Sequence, residues 1–199
     1  WAIYLLTLRH LLISCDTLLD IGCGPSSPAR FIPANRTGID AYGPSLETAR
    51  AEHTHEYFIQ DDVRNIQTLF EENSFDATVA LDLIEHLPKN DGWTLLENME
   101  RIARKRVVVF TPNGFMPQAN KEDGDLQEHL SGWTPDDFMS RGYRVYGMNG
   151  WKRLRNGMSL IYKPRMLWAV ISSLTQLTYC QTHPESASAI LAVRIIEKS

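Results

Sequence analysis

Cysteine is scarce in this chain, and the three present (Cys15, Cys23, Cys180) are scattered without CxxC spacing. That argues against a disulfide framework and a zinc site, and it predicts reduced thiols in a cytoplasmic protein. Long apolar runs are missing too: none reaches the roughly 18 residues that a membrane span needs. Positive charge is not in excess. The net charge is −4 and the isoelectric point is near 5.9, so nothing pulls the whole protein towards nucleic acid. Internal repeats and low-complexity segments are absent. The chain opens at Trp1 rather than Met, so a trimmed N-terminus is expected. Its first residues lack the basic start and small-residue cleavage site of a signal peptide. One more absence concerns cofactors. The turn Gly22-Cys23-Gly24-Pro25-Ser26-Ser27 has serine where a Gly-x-Gly-x-x-Gly fingerprint puts its third glycine, which argues against a dinucleotide pyrophosphate.

What remains is an ordinary globular composition, with 199 residues, 43% hydrophobic and 22% charged. It suits one domain over residues 1–199. An N-terminal helix precedes short apolar strands that alternate with helices. Strands are expected at Thr17–Ile21, Thr37–Asp40, Glu56–Gln60, Phe75–Leu81, Arg106–Phe110, Tyr143–Met148 and Ala189–Ile196. Ser45 is expected to cap the helix after the second strand and Thr134 a later short one; a further helix is expected over about Gly92–Ala103. The alternation predicts a parallel, doubly wound α/β sheet. The first strands end in acids: Asp20, Asp40, then Asp61 or Asp62, and later Asp82. Carboxyl ends share one edge of such a sheet, so these acids converge on one crevice. Asp40 follows Asp20 at a spacing suited to ribose hydroxyls.

These pieces together resemble the class I S-adenosylmethionine-dependent methyltransferases. The resemblance is carried by Leu19-Asp20-Ile21-Gly22-Cys23-Gly24, Gly38-Ile39-Asp40, Asp61-Asp62-Val63, Leu81-Asp82-Leu83-Ile84-Glu85-His86-Leu87 and Thr111-Pro112-Asn113-Gly114. It implies a Rossmann-like sheet of seven strands in the order 3-2-1-4-5-7-6, the last strand antiparallel, with helices on both faces. It also implies S-adenosylmethionine as cofactor and S-adenosylhomocysteine as product. By the same resemblance, Asp20 and the Gly22, Cys23, Gly24 backbone hold the methionine end. Asp40, followed by Ala41, takes the ribose hydroxyls. Asp62 and Val63 meet the adenine, and Leu81 and Asp82 line the methionine moiety. Ser26 departs from the family's frequent third glycine, and Pro25 stiffens the turn.

Methyl transfer to a hydroxyl needs a base, and His86 and His129 are the expected catalytic residues. Their ordinary readings are a helix-start residue bonded to backbone and a solvated loop residue. Asp82, Glu85 and His86 stand at i, i+3 and i+4, one side of a helical turn, and with His129 they make a second, less favoured reading, a divalent-metal site. That arrangement is similar to the Glu-x-x-Glu-His element of small-RNA 2′-O-methyltransferases and ubiquinone-pathway O-methyltransferases. The reading adopted assigns no metal ligand. The fourth strand lacks the proline-bearing motif of amide N-methyltransferases, which favours oxygen. The acceptor is expected to be a small molecule bound by variable segments at about 115–132 and 151–187. The alternatives are an RNA or protein methyltransferase, and a non-catalytic cofactor binder. Finally, Met166, Leu167, Val170, Ile171, Leu174 and Leu177 predict an amphipathic helix over about Pro164–Tyr179, expected to face the core. The alternatives there are peripheral membrane contact as an interfacial lid, and a dimer surface. Lys152, Arg153 and Arg155 are expected to form a solvated basic face.

Overall fold

Five strands pair in parallel in the computed structural model of the chain, which describes residues 2–118, 126–155 and 161–196. They are β1 (Thr17–Ile21), β2 (Asn35–Asp40), β3 (Tyr57–Gln60), β4 (Phe75–Leu81) and β5 (Ala103–Pro112). Two later strands, β6 (Arg144–Trp151) and β7 (Ala187–Ile195), complete one sheet of order β3-β2-β1-β4-β5-β7-β6. β7 runs antiparallel to both neighbours. The helices are α1 (Ala2–Leu12), α2 (Gly43–Ala51), α3 (Ile66–Leu69), α4 (Lys89–Ile102), α5 (Pro135–Met139) and α6 (Arg165–Thr175). The middle of the 115–132 segment (119–125) and residues 156–160 of the 151–187 segment lie outside the described residues.

Period-two alternation sends successive side chains to opposite faces, and both faces are covered. Leu19, Ile21, Val107 and Val109 pack with Leu96 and Met99 of α4, Trp133 and Phe138. Leu18, Val108 and Leu191 pack on the other side with Tyr4, Leu8 and Leu12 of α1. This double coverage is why β4 and β5 read as near-continuous apolar runs. Thr134 caps α5 as expected, accepting from the Asp137 N–H while the Asp137 carboxylate accepts the Thr134 N–H.

Three local expectations change. Pro44 lets α2 begin at Gly43, so Tyr42 is the N-cap and Ser45 lies inside the helix. Likewise α4 begins at Lys89, ahead of Gly92. The third change is larger: α6 does not face the core with its apolar side. Ser172 and Gln176 are buried, whereas Met166, Leu167, Val170, Leu174 and Leu177 are exposed. Beyond Thr175 the helix continues as one π-helical stretch, Gln176–Cys180.

Candidate functional site

The β1 tip turns sharply because Gly22 and Gly24 both adopt positive φ, 67° and 53°. Side chains resist that conformation. The amides of Gly22, Cys23 and Gly24 are all engaged within the protein. Gly22 and Cys23 donate to the Ile39 carbonyl at 2.8 and 3.1 Å, and Gly24 donates to Asp40 Oδ2 at 2.8 Å. What the turn offers a ligand is close approach, since nothing lies within 4 Å of where a Gly24 side chain would begin.

That approach opens into a cavity of about 450 Å³ lined by Gly22, Cys23, Gly24, Asp40, Ala41, Asp62, Val63, Leu81 and Asp82. Nine of the ten expected cofactor residues therefore meet in one place. The tenth, Asp20, does not line the cavity, which corrects the expectation of direct contact. Its carboxylate is wholly buried behind the turn, and Oδ2 pairs with His55 Nε2 at 2.9 Å. His55 Nδ1 in turn meets Thr54 Oγ1 at 2.9 Å. The other oxygen, Oδ1, has no partner among the described residues, leaving an acceptor beneath the turn that biases the cavity towards cations.

The remaining acids have different surroundings. Asp40 accepts the Tyr42 and Gly24 N–H groups, one on each oxygen, and each oxygen keeps a second lone pair for a hydroxyl. Burial raises its carboxyl above the usual range. Arg64 grips Asp62 through its Nε–H and guanidinium and holds that carboxyl low. Arg64 lines the cavity itself, and nothing in its sequence context points to that role. Cys23 is buried, and its thiol is pushed up by desolvation and by Asp20 and Asp40. Asp82 takes an unusual left-handed backbone at φ 56°. Water reaches it through the cavity mouth, yet the surrounding protein desolvates the carboxyl and raises it to about 6.

Asp82, His86 and Gln127 are shared with a second cavity of about 360 Å³, lined also by Glu85, Met116, His129, Asn149 and Arg155. His86 and His129 pack edge to face with centroids 4.7 Å apart. His86 Nδ1 meets the Glu128 carbonyl at 3.0 Å, and His129 Nδ1 the Met116 carbonyl at 2.7 Å. A carbonyl only accepts, so each Nδ1 carries a hydrogen, and a neutral ring then has its lone pair on Nε2. Glu85 is buried, its Oε2 accepting from Thr111 Oγ1 at 2.9 Å. Burial and Asp82 push its carboxyl up to about 8. Its main-chain carbonyl accepts the N–H groups of Leu130 and Ser131, which pins the irregular segment over the site. Ligand atoms of Glu85, His86 and His129 lie within 4.8 Å of one another. Asp82 is not in this group. Its left-handed residue precedes the short 3-10 turn Ile84–His86, so the expected single helical face does not include it. Trp133, on the same irregular segment as His129, belongs to the core: it is fully buried, and its Nε1–H donates to Ser131 Oγ.

A cavity walled by Asp40, Asp62 and Asp82, with Asp20 behind it, suits a sulfonium and an ammonium and repels a pyrophosphate. Comparison with known proteins agrees. The family model described as a methyltransferase domain matches residues 19–111. The match and the fold identify residues 19–111 as a class I S-adenosylmethionine-dependent methyltransferase domain. Its cofactor is S-adenosylmethionine. Over 166 residues the chain is 25% identical to the magnesium protoporphyrin IX methyltransferase of Arabidopsis thaliana, covering 77% of this chain and 53% of that protein. Over 122 residues it is 30% identical to the sterol 24-C-methyltransferase erg6 of Aspergillus fumigatus, covering 56% and 31%. The chain thus spans about half the length of the first relative and less of the second. The solved structure of a SAM-dependent methyltransferase from Archaeoglobus fulgidus superposes with a TM-score of 0.62 at 14% identity, covering 98% of this chain and 93% of that one. At that identity the likeness is one of fold.

Proposed function

We propose that this methyltransferase transfers the methyl group to a hydroxyl oxygen of a small molecule held in the second cavity. The observation that carries this reading is the pair of imidazoles in edge-to-face contact, His86 lining both cavities and His129 the second one together with Glu85. An amine acceptor presents its own lone pair, whereas a hydroxyl must lose a proton, and a neutral imidazole at hydrogen-bond reach takes it. His86 lines both cavities and His129 the acceptor side. In this reading His86 faces the reacting oxygen and His129 holds the acceptor's far side. Asp82 stands beside the sulfonium, Asp40 takes the ribose hydroxyls, and Val63 packs on the adenine with Asp62 at its amine edge. The protein's main task is alignment, holding the oxygen in line with the leaving sulfur. Met116, Gln127 and Arg155 bring the two variable segments to the acceptor cavity. The acidic isoelectric point of about 5.9 speaks against an RNA acceptor. The three buried free cysteines suit a cytoplasmic setting.

The test is transfer of labelled methyl from S-adenosylmethionine to a panel of phenols, alcohols and amines, beside titration with S-adenosylhomocysteine. Binding with methylated phenols or alcohols supports the reading. Binding with methylation of amines alone rejects the oxygen assignment, and no binding at micromolar levels rejects the cofactor site.

The Glu85, His86 and His129 cluster supports a second reading, in which these residues hold a divalent cation. Backbone carbonyls on both Nδ1 atoms fix the rings in the tautomer that ligates through Nε2. A bound cation would acidify a hydroxyl it touched. Activity unchanged in excess EDTA leaves the imidazoles as the base and rejects the cation.

A further inference from the structure

Helix α6 is built inside out. Its polar side is the one fastened to the sheet. Gln176 Oε1 accepts the Gly150 N–H at 2.8 Å and its amide donates to the Gly147 carbonyl at 2.9 Å. Ser172 Oγ donates to the Asn149 carbonyl, and Thr175 Oγ1 accepts the Trp151 N–H at 3.3 Å. A side chain at Gly150 would run straight into Ser172 Oγ, so the close seating requires glycine there. With the polar side committed inward, the apolar stripe has only the outside. Met166 is 87% exposed, Leu177 63%, Val170 59% and Leu174 56%. A contiguous apolar face of this kind marks a docking surface.

The charge around it narrows the occupant. From Trp151 to Pro184 the chain has no Asp or Glu, yet it holds Lys152, Arg153, Arg155, Lys163 and Arg165. This is a basic segment in a protein of net charge −4. Lys152, Arg153, Lys163 and Arg165 are exposed, and Tyr162 and Tyr179, at the two ends of the stripe, are 51% and 44% exposed. An apolar stripe with exposed cations and tyrosines at its margins is the pattern of a helix lying in a lipid interface. A second copy fits less well. A two-fold contact would set this face on itself, and the segment has no Asp or Glu to pair with the partner copy's Lys163 and Arg165. We propose that α6 docks the protein onto an anionic membrane surface, lying parallel to it with Met166, Val170, Leu174 and Leu177 in the lipid. The helix adjoins the acceptor side: Ser172 and Gln176 line a small cavity together with Asn149 and Arg155, and the latter two also line the acceptor cavity. Docking would therefore hold the acceptor cavity at the surface. The proposal stands on the surface of α6 and does not depend on which atom is methylated.

The experiment is sedimentation of the 199-residue protein with vesicles of phosphatidylcholine alone or mixed with phosphatidylglycerol. Binding is expected to the mixed vesicles, weakened by added salt. The double variant Leu174→Glu, Leu177→Glu should lower it by about tenfold or more, and Arg165→Glu should lower it less. All these side chains are exposed, so titration with S-adenosylhomocysteine should be unchanged and reports an intact fold. Three results overturn the proposal. These are no binding to mixed vesicles, binding that the double variant does not reduce, and a light-scattering dimer that the double variant dissociates without any vesicle binding by the parent.

Discussion

His86 and His129 lie on separate segments of the chain with their ring centroids 4.7 Å apart, each with its Nδ1 turned to a main-chain carbonyl. They come from different kinds of structure. His86 ends the turn after β4, whereas His129 belongs to the irregular segment that the Glu85 carbonyl pins down.

His129→Ala removes the side chain that holds the acceptor's far side and is expected to lower kcat/KM by about tenfold or more, the range for a lost hydrogen bond to a bound group. Affinity for S-adenosylhomocysteine should stay within a factor of about two, because His129 lines only the acceptor cavity. Calorimetric titration beside steady-state kinetics measures both. A large loss of cofactor affinity with kcat/KM intact would remove His129 from the acceptor side.

Asp82 gives a pH dependence with a definite sign. Its carboxyl is raised to about 6 in the ligand-free protein. Above that pH it is ionised and attracts a sulfonium; below it the group is neutral. Affinity for S-adenosylmethionine should therefore fall as pH drops through about 6, approaching tenfold per pH unit at the limit. S-adenosylhomocysteine carries no sulfonium, so the ratio of the two affinities isolates the effect. Asp82→Asn should flatten that ratio. A ratio already independent of pH in the parent would place the sulfonium elsewhere.

Asp40 serves both the turn and the ligand. Asp40→Ala deprives the Gly24 and Tyr42 N–H groups of their acceptor and removes the proposed hydroxyl acceptor. Affinity for S-adenosylhomocysteine should fall by at least about tenfold, as expected when charge-assisted hydrogen bonds are lost. Asp40→Asn keeps one acceptor oxygen and should lose less. Equal affinity in all three proteins would reject the ribose assignment.

The cofactor side is legible in the sequence because it is local. A strand that ends in an acid or a glycine turn places that residue on the carboxyl edge whatever follows, so Asp40, Asp62 and Asp82 can each be placed at the cavity that they line. The acceptor side is less legible. His129 meets His86 through an irregular segment, and no periodicity predicts where such a segment lands. His55 escapes sequence reasoning for a similar reason: it stands in the loop before β3, and its partner Asp20 lies far off in the sequence on β1. Helix α6 shows a third limit. Amphipathic spacing reveals two faces but not which one turns inward. Here Gln176 and Ser172 find main-chain partners on β6, and that decides the orientation against the hydrophobic expectation.

The buried pair beneath the glycine turn supplies the last prediction. Asp20 and His55 are both inaccessible, and their contact is 2.9 Å. His55→Ala leaves the Asp20 carboxylate buried without its donor, and removing one member of a buried pair costs about 3 kcal/mol or more. Urea unfolding at equilibrium should show the midpoint falling with little change in slope. Adding Asp20→Asn to His55→Ala should cost less than the two single losses summed, because the second change removes the charge that the first stranded. The folded variant should keep its affinity for S-adenosylhomocysteine to within a factor of about three, since neither residue lines the cavity. A stability loss that is strictly additive would mean that the two groups do not act as a pair. A much larger loss of affinity at unchanged stability would return Asp20 to direct contact with the cofactor.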